Sequence, residues 1–311
     1  MIIVTGGAGF IGSNLIKKLN KKKIKDIVVF DSINKLKKKN IQKLTYKNLY
    51  SKNEIFDFLK VNKKKIDVIY HLGACTNTLE KNWDYLLKNN FEYSKKLAIF
   101  TALNNIKFIY ASSASVYGKK TGNCNEIRSL NFLKPLNLYA KSKLIFDKYL
   151  IKNFGPNSKI IGLRYFNVYG INEEHKLNMA SPVHNFFSQI KEKKICKIFD
   201  KFDGYIAGGH KRDFVSVDDC VNINLWLIKK NIKKNIINVG SGASVTFGSI
   251  ADKIIQELKY GKIKVIKFPE KLKKGYQSYT KSDLSTLRKI GYKKDLINIS
   301  TGIRNFIKKK I

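Results

Sequence analysis

Directly behind the apolar run Ile2-Ile3-Val4 the chain reads Thr5-Gly-Gly-Ala-Gly-Phe-Ile-Gly12, and a helical pattern follows at once over residues 11–20. A strand, a glycine-rich turn and a helix in that order constrain the fold more than any other part of the chain. The glycines at 6, 9 and 12 give a tight turn, a close backbone approach to a pyrophosphate, and tight packing of helix on sheet, while the helix start turns its N–H groups toward the phosphates. Residues 1–30 therefore read as the opening of a parallel, dinucleotide-binding sheet.

The following segments extend the same pattern. Strand-like runs at 27–30, 66–70, 107–111 and 159–163 alternate with helical patterns at 82–104 and 137–153. Alternation at this spacing predicts an α/β chain with a doubly wound, Rossmann-like parallel sheet. From about residue 170 the order changes: loops, a helix near 182–193, a strand at 195–199, and strands at 236–239 and 263–267. We expect a dinucleotide-binding domain of residues 1–169 with a return segment at about 213–240, and a smaller mixed α/β substrate lobe of about 170–212 and 241–311. No repeat or Pro-rich hinge divides the chain.

The formal charge of +38 raises the question of nucleic acid as a partner. Only five of the 61 basic residues are arginine, and the lysines are scattered among Ile and Asn along the whole length. Base readers rely on arginine forks and a concentrated basic face, so neither nucleic acid nor a membrane is expected as partner. Met1 leads straight into the first apolar run and no long uncharged apolar stretch exists, which predicts a cytoplasmic protein. Cysteines 75, 124, 196 and 220 are isolated, so neither a disulfide framework nor a metal site is expected.

Asp31 ends the second strand-like run, where a carboxylate can take ribose hydroxyls. Lys35, Lys37, Lys38 and Lys39 follow, and any of them can neutralise a 2′-phosphate; the residues leave NAD and NADP open. His71 closes the third strand as either a packed residue or a contact, and Cys75 reads as a small core residue. Asn89 and Asn90 sit inside a long helix, where asparagine is mildly unfavourable, so each has either a polar role or an exposed place.

Ser112-Ser-Ala-Ser-Val-Tyr-Gly118 follows the strand at 107–111, and Tyr139-Ala-Lys-Ser-Lys143 lies near a helix start. Spacing of four puts Tyr139 and Lys143 on one helical face. A free phenol titrates near ~10 and is a poor base at neutral pH. An ammonium beside it, together with an oxidised nicotinamide, stabilises the phenolate, and Ser113 can then hold a substrate hydroxyl.

These motifs resemble the extended short-chain dehydrogenase/reductases that act on nucleotide sugars. More narrowly, Arg164-Tyr-Phe-Asn-Val-Tyr-Gly170, the 173–181 segment EEHKLNMAS, Lys211-Arg-Asp-Phe-Val215 and the 271–280 segment KLKKGYQSYT resemble the ADP-L-glycero-D-manno-heptose 6-epimerase family. The resemblance implies an isomerase with NADP, or NAD, as cofactor, an ADP-heptose substrate, a homo-oligomer, and supply of heptose to the lipopolysaccharide inner core. It implies Tyr139 and Lys176 as the two acid/base groups beside Ser113 and Lys143. It carries Asn167, Asn178, Asn185, Arg212 and Tyr276 over as substrate contacts. To the cofactor shell it assigns Gly6, Gly9, Phe10, Ile11, Gly12, Asp31, Ser32, Lys38, Lys52, Leu72, Gly73, Ala74, Cys75, Thr76, Asn89, Lys143 and His175. Departures from the family pattern are Leu72 in place of an acid, a longer 200–210 loop, and Pro182, which leaves open whether His184 or Asn185 takes the place of the family's substrate histidine. A UDP-hexose 4-epimerase is the alternative on the same fold.

Stereochemistry gives a separate reason for two acid/base groups. To invert a secondary alcohol through its ketone, hydride leaves one face and returns to the other. With a fixed cofactor the carbonyl must turn over, so its oxygen meets a different protein group each time.

Overall fold

The computed structural model describes residues 1–119, 122–126, 129–156 and 158–311. In chain order the main elements are β1 (Ile2–Thr5), α1 (Phe10–Lys21), β2 (Ile27–Phe30), α2 (Lys35–Ile41), β3 (Asn48–Tyr50), α3 (Ile55–Asn62) and β4 (Val68–His71). There follow α4 (Trp83–Leu86), α5 (Tyr93–Leu103), β5 (Lys107–Ser113), α6 (Leu138–Asn153), β6 (Ile160–Tyr165), β7 (Asn167–Tyr169), α7 (Pro182–Lys193), β8 (Ile195–Phe199), β9 (Lys211–Arg212) and β10 (Phe214–Ser216). The chain closes with α8 (Val217–Ile228), β11 (Ile236–Val239), β12 (Val245–Thr246), α9 (Phe247–Leu258), β13 (Lys262–Ile266), α10 (Glu270–Lys273), α11 (Ser285–Lys289) and α12 (Ile299–Lys308).

Two compact units result, one of residues 1–113, 138–164 and 220–237, the other of 114–137, 165–219 and 238–311. The first unit carries the parallel sheet, in strand order β11-β6-β5-β4-β1-β2-β3. Its inner strands are buried on both faces, which is why β1, β2 and β4 are buried at every residue and begin as continuous apolar runs rather than alternating ones. Ile3, Val28, Ile69 and Phe108 form the centre of its core, each side chain contributing about 1.5–3 kcal/mol by leaving water. α1 forms because Gly12, Leu15, Ile16 and Leu19 fall on one buried face, and Lys18 and Lys21 in its last turn suit the negative end of the helix dipole. Strand order reverses between β1 and β4, and at such a switch point the ends of parallel strands leave a crevice for a ligand.

The expected helix at 82–104 is interrupted: a π-helical stretch, Leu87–Glu92, separates α4 from α5 and contains both asparagines. The strand expected at 236–239 is β11, on the edge of the large sheet. Residues 114–137, 165–169, 213–219 and 238–240 fall in the second unit, whereas the sequence reading expects them in the cofactor domain.

Among the described residues the second unit has three two-stranded sheets, β13 with β8, β10 with β7, and β12 with β9. Val183, Phe187, Ile190, Ile254, Ile303 and Phe306 from α7, α9 and α12 make its core. Each of these helices starts on a polar cap: Ser181 Oγ, Thr246 Oγ1 and Asn298 Oδ1 accept a backbone N–H from the first turn. Pro182 stands at the first helical position of α7, where a missing N–H costs nothing. Among the described residues no helix is long and apolar enough to cross a membrane.

Candidate active site

At the switch point Gly6 has φ +67°, and a Cβ there would lie 2.5 Å from the backbone N of Gly73, just past β4. A Cβ on Gly12 would lie 2.3 Å from Gly6 O. Only glycine lets these backbones come together. Gly9 caps α1 with no side-chain hydrogen bond, and the first turn holds no acid. Asp31, buried at the end of β2, accepts from Ala8 N (3.0 Å), Ser32 N (2.7 Å) and Lys37 Nζ (2.7 Å). A cradle closed to Cβ atoms, a helix start free of acidic side chains, and a carboxylate one strand away fit a dinucleotide.

Around this turn, Phe10 is buried, Ile11 and Leu72 to Cys75 are half-buried, and Ser32, Lys38 and Thr76 are exposed. Of the four lysines that the sequence left equal, Lys37 is the one that reaches Asp31. Lys52 Nζ donates to Asn89 Oδ1 at 2.8 Å. Asn90 is fully buried; its Oδ1 accepts from Cys75 N (2.9 Å), and its Nδ2 donates to Cys75 O and Ser142 Oγ (both 3.0 Å). The π-helical stretch thus lets one asparagine tie the β4 loop to α6. His71 is a packed residue, bonded to Thr5 Oγ1 (2.6 Å) and Ser94 Oγ (2.8 Å). Burial, with the charge of Lys143, pushes its imidazole down to about 3.

Tyr139, Lys143 and Asp147 follow each other at intervals of four along α6. Ser113, the last residue of β5, hydrogen-bonds the Tyr139 hydroxyl. Lys143 Nζ donates to Ala111 O at 2.8 Å. Burial raises Tyr139, the Ser113 bond pulls it back, and Cys75 and Asp147 add to the rise. Apolar surroundings disfavour the phenolate, and the ammonium is aimed at a carbonyl. Burial brings Lys143 down to about 8, opposed by Asp147 and Cys75. Asp147 is fully buried and accepts from Tyr110 Oη, Ser112 Oγ (3.0 Å) and Arg164 Nε (2.9 Å), with Arg164 Nη2 at 2.8 Å. This carboxylate fixes the helix carrying Tyr139 against β5 and β6.

In the second unit, Lys176 lies on a 3-10 stretch, Glu174–Met179, between β7 and α7. Its side chain is only 25% exposed, and Nζ stands 3.9 Å from Glu173 Oε2. Burial lowers its ammonium and Glu173 raises it. His175 is half-buried and Asn178 exposed. Of the two residues that the sequence left open at the start of α7, His184 is buried against Phe306, and half-buried Asn185 donates to Ala180 O at 2.9 Å.

Arg212, buried at the end of β9, sits with its guanidinium carbon 5.0 Å from the Tyr276 ring and 5.9 Å from Phe247. Desolvation lowers the arginine, while Tyr276 and Tyr205 raise it. Half-buried Asn167 pairs with Phe214 in the β7–β10 ladder. The long 200–210 loop folds inward: Phe202 and Tyr205 bond each other's backbone, Asp203 accepts from Ser278 Oγ (2.6 Å) and Lys119 Nζ (2.6 Å), and the His210 ring lies 5.1 Å from that of Tyr276. The sequence reading missed His210, Phe268 and Phe202, which wall Tyr276; the only cue was the density of aromatic residues in 199–214.

The model of the NAD dependent epimerase/dehydratase family matches residues 2–240. An ADP-L-glycero-D-manno-heptose-6-epimerase of Alkalilimnicola ehrlichii is 42% identical over 311 residues, covering 99% of this chain and 96% of that protein. The crystal structure of the Helicobacter pylori ADP-L-glycero-D-manno-heptose-6-epimerase superposes with a TM-score of 0.84 at 27% identity, covering 99% of this chain and 95% of the other. UDP-glucuronic acid 4-epimerase from Bacillus cereus, solved with UDP-glucuronic acid and NAD, gives 0.80 at 28% identity, covering 100% and 99%.

Proposed function

The chain belongs to the NAD dependent epimerase/dehydratase family, within it to the heptose 6-epimerases, and from that premise we propose how its residues divide the work. The reaction is inversion of C6 in ADP-D-glycero-D-manno-heptose to give the L-glycero epimer. The nicotinamide, when bound, supplies the place where the C6 hydride is held between leaving one face and returning to the other. Tyr139 Oη and Lys176 Nζ are the two proton-transfer groups. One accepts the C6 hydroxyl proton as the ketone forms, and the other gives a proton to the same oxygen once the carbonyl has turned over. Ser113, already bonded to Tyr139, orients the hydroxyl. Lys143, held on Ala111 O, brings positive charge to the same helical face.

The observation that carries this reading is the gathering of Tyr139, Ser113 and Lys143 at the carboxyl end of β5, the edge of a parallel sheet where ligands bind. Arg212, with its guanidinium near the Phe247 and Tyr276 rings, is suited to a diphosphate, since its fork can grip two oxygens. NADP is the proposed form of the cofactor: Lys37 on Asp31 offsets the carboxylate that would otherwise repel a 2′-phosphate. A cytoplasmic homo-oligomer that supplies the lipopolysaccharide inner core completes the proposal.

The test is to run the reaction in deuterated water and analyse C6 of the product. Absence of deuterium there supports hydride transit, whereas substantial incorporation means deprotonation chemistry and overturns the reading. In a parallel incubation ADP-heptose is turned over and UDP-galactose is not.

A further inference from the structure

Buried carboxylates are costly unless several donors satisfy them, so a fully buried acid with a lysine beside it needs a reason. Glu173 is such a residue, with no exposed surface, in the loop that bears Lys176. We propose that Glu173 is a positioning residue for the inversion: it clamps both ends of the 170–181 loop and supplies the counter-charge that orients the Lys176 ammonium. The inference rests on the assignment of Lys176 as a proton-transfer group.

The geometry is specific. Glu173 Oε1 accepts from Gly170 N (3.0 Å), the residue just after β7, and from Ser181 Oγ (2.7 Å). Oε2 accepts from Ser181 N (2.6 Å), the N-cap of α7, and faces Lys176 Nζ at 3.9 Å. Ser181 Oγ in turn accepts from His184 N at 3.2 Å. One side chain therefore ties the end of a strand to the start of a helix, and Lys176 is strung between the two tied points. Three protein donors converge on two oxygens, so a glutamine there would set its NH2 against at least one N–H or O–H donor.

Glu173 presents its carboxylate to Lys176. Glu174, next in the loop, is exposed and paired with Lys310, which follows α12. His184 on α7 lies in the apolar cluster, lowered by burial first, raised by Glu173 and lowered by Lys176. Lys310 is lowered by burial and raised by Glu173. With two ammonium groups and an imidazole answering to one buried acid, removing the charge of Glu173 makes the ammonium form of Lys176 harder to keep. A purely architectural glutamate would be needed for loop geometry alone and would not set that titration.

The experiment compares the pH dependence of kcat for the cofactor-loaded wild type, Glu173→Gln, Glu173→Asp and Lys176→Met. In parallel, the pH dependence of Lys176 acylation by acetic anhydride is read by mass spectrometry. We expect Glu173→Gln to move the Lys176 titration and the corresponding limb of kcat to lower pH by about one unit or more, with cofactor content unchanged. Glu173→Asp, which keeps the charge but shortens the reach, restores most of the titration while kcat stays depressed. If Glu173→Gln does not fold, the aspartate variant carries the test, with a depressed kcat and a near-native titration expected. An unmoved titration in Glu173→Gln, or full activity in the aspartate variant, overturns the proposal. Full inversion by Lys176→Met instead overturns the assignment on which it rests.

Discussion

Replacing Asp147 by Asn strips the charge from a carboxylate that faces Arg164, and both side chains have no exposed surface. The buried guanidinium is then left uncompensated, and breaking a buried pair from one side costs about 3–5 kcal/mol. The donors Tyr110 Oη and Ser112 Oγ compete for the single remaining amide oxygen, which places the loss toward the upper end of that range. Adding Arg164→Met removes the stranded charge, so the double variant recovers stability rather than losing more, with a coupling energy near the top of the usual range, about 2–3 kcal/mol. The assay is urea unfolding followed by tryptophan fluorescence, because both tryptophans, Trp83 and Trp226, lie in the unit that contains Asp147. A loss below about 1 kcal/mol for Asp147→Asn, or simple addition of the two single losses, would refute the reasoning.

Two other outcomes follow from the geometry. The folded value of His71, about 3, lies below the ordinary histidine value of 6.5. The unfolded chain therefore binds the extra proton first, and stability present above pH 6.5 is lost as pH falls toward 3, by about 3 kcal/mol on going from pH 7 to 4.5. Urea titrations at those two pH values will show a smaller acid loss in His71→Gln than in the wild type. Leu177 follows Lys176 at φ +48°, ψ −126° with a side chain that is 67% exposed, a conformation that favours glycine. Leu177→Gly relieves about 1–3 kcal/mol of strain against about 0.5–1 kcal/mol of added chain entropy, and the melting temperature rises by a few degrees.

The parts of the fold readable in the sequence are those whose burial is written in consecutive residues. β1, β2 and β4 begin as continuous apolar runs because the parallel sheet covers both their faces. β3, an edge strand with two exposed residues, carries no such signal and was not anticipated. α9 and α12 were also missed, although Ile250, Ala251, Ile254 and Leu258, and Ile303, Phe306 and Ile307, have helical spacing between polar residues. In the site, Tyr139 and Lys143 were legible because a helix turns a spacing of four into a shared face. Asp147 and Arg164 were not, since each depends on a partner brought close only by the sheet. Asn90 became a tie rather than a surface residue through a π-helical stretch that no local pattern announces. The Ser181 cap sets the phase of α7 and places the His184 ring beside Phe306, a contact that no local pattern announces.

The central claim is that two different side chains handle the proton on the two faces of the sugar carbonyl. Steady-state inversion by Tyr139→Phe and by Lys176→Met, each checked for retained cofactor, tests it most directly. A fall of about 100-fold or more in kcat for each variant alone is the predicted result. Near-native turnover by either variant, with its cofactor in place, would contradict the account.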